Sequence, residues 1–445
     1  VTLSSFQGIA VLGAVSAIAL VVFAGRANIA GGERAASAPT TLLAAAASAP
    51  AATPTAPVSF YESNFERRPS PAALTALGRV VFSDTALSAS GRMSCASCHD
   101  PAHAYGPTDG RAVRLGGVDG KTPGVRAVPS LRYQQDALPF TEHYMETDGN
   151  DSADQGPAGG RGWDGRASSA HEQAALPLLS PFEMANGTID AAIARLRASP
   201  SATLFRATFG PHVLDDPALA WSGLLWALEV FQQSPEDFYP YSSKYDAFLR
   251  GKAALDAREQ RGLALFDDPA RGNCAVCHVS GIRHGAFPQF TDHGFVALGV
   301  PRNASVPANR DPAYRDLGLC GPLRTDLADR SEYCGLFKTP TLRNVAMRKV
   351  FFHNGAFHSL DDVVAFYAER DTRPSKFYPR DPSGRVVKYD DLPAAFAGNV
   401  NVEPPFGGAA GARPALSAGE RADIVAFLRT LTDGWQAPAA SAPRR

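Results

Sequence analysis

The sequence predicts a mainly α protein built from two similar units with long loops, and three observations lead there. Apolar residues recur at helical spacing in several stretches, each next to a helix-start signal. No alternating strand pattern of any length is present. Glycine (40) and proline (35) are abundant in a chain of 445 residues, well above their usual combined share of about 12%, so much of the fold is loop. The length allows about three domains at ~150 residues each, or two once the ends are set aside. A hydrophobic content of 45% excludes a wholly disordered chain. Lys and Arg number 43 against 44 Asp and Glu, so composition carries no electrostatic footprint for nucleic acid.

In chain order, residues 6–24 are uncharged and almost wholly apolar until Arg26 interrupts them. That run is long for a signal-peptide core and marginal for a membrane span. The Ala/Pro/Thr tract 35–57 has linker composition. Residues 1–57 therefore read as an export signal or inner-membrane anchor plus linker, placing the remainder in the periplasm, with cleavage open. The first unit, 58–238, starts a helix at Ser70 and Pro71, with Leu74, Leu77 and Val81 along one face, and runs through GRVVFSD into CASCH. A Trp/Leu-rich helix over 219–231 closes it, and 234–251 crosses to the second unit, 239–435. There Asp256 and Glu259 form a capping box ahead of RGLALFDD and CAVCH. Ser417 and Glu420 cap a last helix with an apolar stripe of Ile424, Phe427, Leu428 and Leu431. Residues 436–445 read as a disordered tail.

The two CxxCH motifs carry the chemistry. Cys95, Cys98 and His99 form one; Cys274, Cys277 and His278 form the other. Two thiols at this spacing add to the vinyl groups of haem while the adjacent imidazole meets the iron. A redox CxxC wants a βαβ context and a zinc site wants a second pair, and neither context is present. The reading is two cytochrome c-like haem domains, each with one covalently bound c-type haem. Cys320 and Cys334, the remaining pair, flank a polar loop; in an oxidising compartment a disulfide is the default and two buried thiols the alternative.

Second axial ligands decide between wire and catalyst, because a six-coordinate iron transfers electrons and a five-coordinate one binds peroxide. Eight further histidines, four methionines and twelve tyrosines are available, and composition does not choose among them.

The runs WDGRA (163–167), LLSPFEMANG (178–187), FKTPTLRNVA (337–346) and FFHNGAFHSLDDVVAFY (351–367) resemble the bacterial dihaem cytochrome c peroxidase and MauG family, over residues 60–435. Further runs at 143–149, 319–327 and 331–346 resemble its methanobactin-associated members. The resemblance implies that the second haem takes its other ligand from the helix after the FxHxG turn: Met in the peroxidases, Tyr in MauG-like proteins. Registered on His353 and Gly355, that position is Tyr367. By spacing alone, Tyr367 continues a stripe with Leu360, Val363 and Val364 and reads as a core aromatic. Met347 is the local rival. The loop 116–131 lacks the His that the peroxidases place there, so the resemblance implies a His99 haem open on one side; His103 lies too close to His99 to serve as its second ligand.

Matching HEQAALPLLSPFEM (171–184) puts Gln173 and Glu183 on the open side of the first haem, with Pro177 nearby and Glu183 as the proton-handling base. In isolation Glu183 reads as a solvated loop carboxylate. Trp163 matches the family Trp between the two haems. A family calcium ion takes an Asn side chain and two carbonyls; these positions are Ala127, Arg348 and Val350, so its one side-chain ligand is missing, and one calcium ion held by the two carbonyls stays an open alternative beside the two haems. Function follows in three readings. The leading one is a MauG-like enzyme that uses hydrogen peroxide to oxidise a residue of a partner protein, Trp to a kynurenine-type product; the methanobactin-associated likeness implies a copper-related partner. The second is a peroxidase fed electrons by a small cytochrome or cupredoxin. The third is a dihaem electron carrier, which is not an enzyme.

Overall fold

The computed structural model describes residues 60–145 and 153–437. The apolar run 6–24, the linker 35–57, part of the 143–149 motif and residues 438–445 lie outside the described residues. Among the described residues no helix is long and apolar enough to cross a membrane.

Proline at the first helical position and the Ser70 hydroxyl, which accepts the Ala73 N–H at 3.2 Å, start α1 (Pro71–Phe82). Its Leu74, Leu77 and Val81 are all buried. Four more helices complete this half: α2 (Ala170–Leu179), α3 (Ile189–Ala198), α4 (Ala202–Phe209) and α5 (Pro217–Gln232), with α5 packed on α1, α2 and α3. Asp216 caps α5 by accepting the N–H groups of Ala218 and Leu219. These helices share one hydrophobic cluster. A second cluster is built by α6 (Ala257–Asp267), α7 (Leu360–Glu369) and α8 (Ala418–Arg429). Reciprocal capping boxes form at Asp256/Glu259 and at Ser417/Glu420. Ile424, Phe427 and Leu428 of α8 are buried in that cluster, as is Leu431, which lies just past the helix end rather than on it.

The described strands are minimal. β1 (Leu115–Gly116) pairs antiparallel with β2 (Thr122–Pro123), and β3 (Phe295–Val296) with β4 (Phe337–Lys338). Charged side chains join the halves. Asp433, just after α8, accepts from Arg132 at 2.8 Å, the Tyr133 hydroxyl at 2.7 Å and Asn344 at 2.7 Å. Arg343 and Asp246, both fully buried, pair at 2.7 Å, and the guanidinium lies 5.0 Å from the Tyr133 ring centroid.

The two halves repeat one packing unit. On α1, a Cβ on Gly78 would collide with the Ala227 carbonyl of α5; on α6, a Cβ on Gly262 would collide with the Asp423 carbonyl of α8. Each glycine thus lets two helix backbones touch. Four residues on, Phe82 and Phe266 each join a ring triad. Phe82, Tyr105 and Phe231 have centroids 5.5–6.3 Å apart, and Phe266, Phe290 and Phe427 have centroids 5.2–6.2 Å apart. Both triads include edge-on pairs, the arrangement ring quadrupoles favour.

Gly78→Ala and Gly262→Ala are each expected to destabilise by at least the ~1–3 kcal/mol of ordinary overpacking, because the obstruction is backbone. Gly419, also helical, has open space around its Cβ position. Gly419→Ala is expected to be neutral or stabilising, and thermal unfolding of the three variants makes the comparison.

Candidate functional site

A cavity of about 640 Å³ runs between the two clusters, and both CxxCH motifs line it. In the first, Cys95–Cys98 form one helical turn that ends at His99. In the second, Cys274–Val276 form a 3₁₀ turn before Cys277 and His278. None of these four cysteines is in a disulfide. The His99 Nδ1 lies 3.1 Å from the Tyr105 carbonyl oxygen, and the His278 Nδ1 lies 2.9 Å from that of Phe290. With Nδ1–H donated to a carbonyl, Nε2 keeps its lone pair for a metal. Burial pulls His99 down to about 4 and lowers His278 as well, so both rings are neutral at pH 7, the form that ligates. Paired cysteines, neutral histidines with an available Nε2 and an apolar chamber fit two c-type haems.

Gln173, Pro177 and Glu183 line the first-half end of the cavity. Gln173 and Pro177 lie on α2; Pro177 cannot return an N–H to the Gln173 carbonyl, and the helix ends two residues later. The chain then folds back, with Met184 N–H on the Pro177 carbonyl at 3.0 Å and the Asn186 amide on the carbonyls of Leu87 and Leu178, both at 2.9 Å. Gly117 N–H fixes the Glu183 carbonyl at 2.8 Å. A Cβ on Gly116 would collide with the Phe182 carbonyl, so β1 presses directly on this turn. Burial raises the Glu183 carboxyl above its ordinary value.

Trp163 lines the same cavity. Its indole Nε1–H donates to the Ala127 carbonyl at 2.8 Å, and its own carbonyl accepts from Lys338 N–H at 2.9 Å. Beside it, Arg126 grips Asp316 through two bonds of 2.6 and 2.7 Å and Asp164 through one of 2.6 Å. Burial pushes the Asp316 carboxyl up, but the charge and hydrogen bonds of Arg126 outweigh it and hold it below the ordinary value. His353 stacks on Phe337 with centroids 3.5 Å apart, and burial pulls it down to about 4.

Tyr367, on α7, lines the same cavity as Cys274, Cys277 and His278. Burial drives its phenol far above the ordinary value. Its ring packs 5.2 Å from Phe406 and 6.1 Å from Phe352, and no hydrogen-bond partner for its hydroxyl is found among the described residues. Met347 and His103 also line the cavity, His103 with its Nδ1 3.0 Å from Asp100. Cys320 and Cys334 are joined in a disulfide. The residues matched to calcium do not fit that ion: Ala127 offers no side-chain oxygen, and the Val350 carbonyl accepts from Arg348 Nε at 3.2 Å. No cluster of three His, Cys, Asp or Glu side chains suited to a metal occurs among the described residues.

Sequence reasoning missed the basic wall of this cavity. Arg126, Arg161, Lys338 and Arg348 all line it. Lys338 is buried, donates to the Gly160 carbonyl, and is pulled down to about 7 by burial and by Arg161. No spacing signal marks such residues; an excess of cations in apolar loops is the only hint.

Breaking a buried ion pair costs ~3–5 kcal/mol, so Arg126→Ala and Asp316→Asn are expected to lower stability by that order in denaturant unfolding. Because the folded Asp316 value lies below its unfolded reference of 3.8, its contribution is complete above that pH and is lost only as pH falls below it. An acid titration of stability in wild type and Asp316→Asn checks this.

Residues 72–254 match the di-haem cytochrome c peroxidase family. The methylamine utilization protein MauG of Paracoccus denitrificans is 34% identical over 380 residues, covering 83% of this chain and 90% of that protein. The solved diheme peroxidase BthA from Burkholderia thailandensis is 39% identical with a TM-score of 0.73, covering 82% of this chain and 87% of its own. A solved MauG-like protein associated with microbial copper homeostasis is 25% identical with a TM-score of 0.57, covering 83% of this chain and 94% of its own. With both CxxCH motifs on one apolar cavity, this chain belongs to the dihaem cytochrome c peroxidase and MauG family, haem oxidoreductases that act with peroxide.

Proposed function

We propose that this enzyme is MauG-like: it uses hydrogen peroxide to oxidise a residue, Trp to a kynurenine-type product, on a periplasmic partner protein by long-range electron transfer. One observation carries the reading. The Tyr367 phenol, half-buried, stands in the wall of the same cavity as Cys274, Cys277 and His278, and its hydroxyl has no hydrogen-bond partner among the described residues. A phenol so placed gives up its proton to a cation, and as phenolate it favours oxidised states that a thioether would disfavour. His278 and Tyr367 together suit a site that stores oxidising equivalents.

When bound, the haems supply an iron position open to peroxide and a conjugated store for two oxidising equivalents. The protein's side chains do the rest. Glu183 takes the proton from the inner oxygen of hydrogen peroxide and delivers it to the departing outer oxygen. The Gln173 amide orients the peroxide, and Pro177 keeps that wall apolar. Trp163, held by Ala127, relays charge between the halves. The apolar run 6–24 supports export or an inner-membrane anchor. Likeness to the copper-associated protein supports a copper-handling companion as the partner class.

Met347 also faces the cavity, which favours a second reading: a peroxidase that takes electrons from a small cytochrome or cupredoxin. Stoichiometric peroxide added to the ferric protein separates the two. The proposal expects an immediate optical and near-infrared change without prior reduction, much shortened in Tyr367→Phe. A ferric protein inert until half-reduced, or an unchanged Tyr367→Phe, sinks it. Because the Glu183 carboxyl is raised from its ordinary 4.5 and must be ionised to act as a base, the peroxide reaction is expected to slow as pH falls through a value above 4.5. Glu183→Gln is expected to be slower by roughly 10²–10⁴-fold and to lack that acid limb. Mass spectrometry of partner proteins for added oxygen identifies the substrate.

A further inference from the structure

Position 127, where the family ion would find its side-chain ligand, is a buried alanine with both backbone groups engaged. Its N–H donates to the His353 carbonyl at 2.7 Å and its carbonyl accepts the Trp163 indole at 2.8 Å. The neighbouring carbonyls are also taken. Arg348 folds back so that Nε donates to the Val350 carbonyl at 3.2 Å and Nη2 donates to the Val128 carbonyl at 3.0 Å. One guanidinium therefore bridges the 127–128 segment to Val350. Burial pulls this guanidinium down to about 10, and no carboxylate pairs with it among the described residues. A hard cation needs six or more oxygens, whereas a planar guanidinium satisfies two carbonyls at fixed angles with a charge that it never loses near neutral pH.

We propose that Arg348 is a built-in cation standing in for calcium, which this enzyme neither binds nor needs at the junction of its two halves. Acting through Val128 and Ala127, Arg348 is a positioning residue for Trp163. The inference holds whichever electron donor or substrate the enzyme uses, because it concerns the junction alone.

The test uses the holoenzyme. Elemental analysis after gel filtration is expected to find calcium far below one per chain. Thermal midpoint, optical spectrum and EPR spectrum are expected to be the same after EGTA treatment as after added calcium chloride. One retained calcium per chain, or a midpoint that rises with calcium, overturns the proposal, since a ligand that binds the native state must stabilise it. Arg348→Thr is expected to alter the ferric EPR signals and the separation between the two haem reduction potentials, and Arg348→Lys to restore them in part. A folded Arg348→Thr with wild-type EPR and potentials also overturns it. Should Arg348→Thr not fold, the calcium measurements on wild type decide alone.

Discussion

Everything around the cavity depends on one hydrogen bond made twice, from an imidazole Nδ1 to a backbone carbonyl. It fixes the tautomer and aims the other ring nitrogen into the chamber. The carbonyls belong to Tyr105 and Phe290, and both residues adopt left-handed backbone, with φ of 53° and 57°. Side chains with a Cβ resist that conformation, so it persists only where surroundings impose it. Here the surroundings are the two ring triads, anchored where α1 meets α5 and α6 meets α8. Helix contact, ring packing, backbone strain and imidazole orientation form one chain of cause in each half.

Around that axis the wall is charged. Cations in an apolar cavity are costly unless paired or hydrogen-bonded. Arg126 is paired with two carboxylates, Lys338 donates to a carbonyl, and Arg348 donates to two carbonyls. Trp163 lies among these groups, its Ala127 acceptor between Arg126 and the Val128 carbonyl that Arg348 holds. The electrostatic setting of the indole is therefore imposed by residues from both halves.

Local signals were legible in the sequence. Ser70 with Pro71, Asp256 with Glu259, and Ser417 with Glu420 each start the helix their spacing predicts, and the CxxCH motifs locate both ends of the cavity. The repeat between the halves was only partly legible. GRVVF and RGLALF show the glycine and phenylalanine, but the third ring and its carbonyl follow the histidine by six residues in one half and twelve in the other. Unequal loops hide the correspondence from any fixed-spacing comparison. The Arg126, Asp164 and Asp316 group is likewise assembled across 190 residues, and Arg348 looked like a carbonyl donor because its side chain's return path has no sequence signature. Residues 163, 173, 177, 183 and 367 came from family likeness, since their own surroundings favour ordinary packing or solvation.

The cysteines set a problem of maturation. One pair, Cys320 and Cys334, forms a disulfide, while the four cysteines in CxxC spacing do not. A CxxC pair closes easily into a small disulfide ring, and an oxidised pair can no longer add to a vinyl group. The same polypeptide must therefore gain one disulfide and avoid two others before its haems are attached. Thioether formation thus needs residues 95, 98, 274 and 277 reduced in the same chain in which 320 and 334 are oxidised.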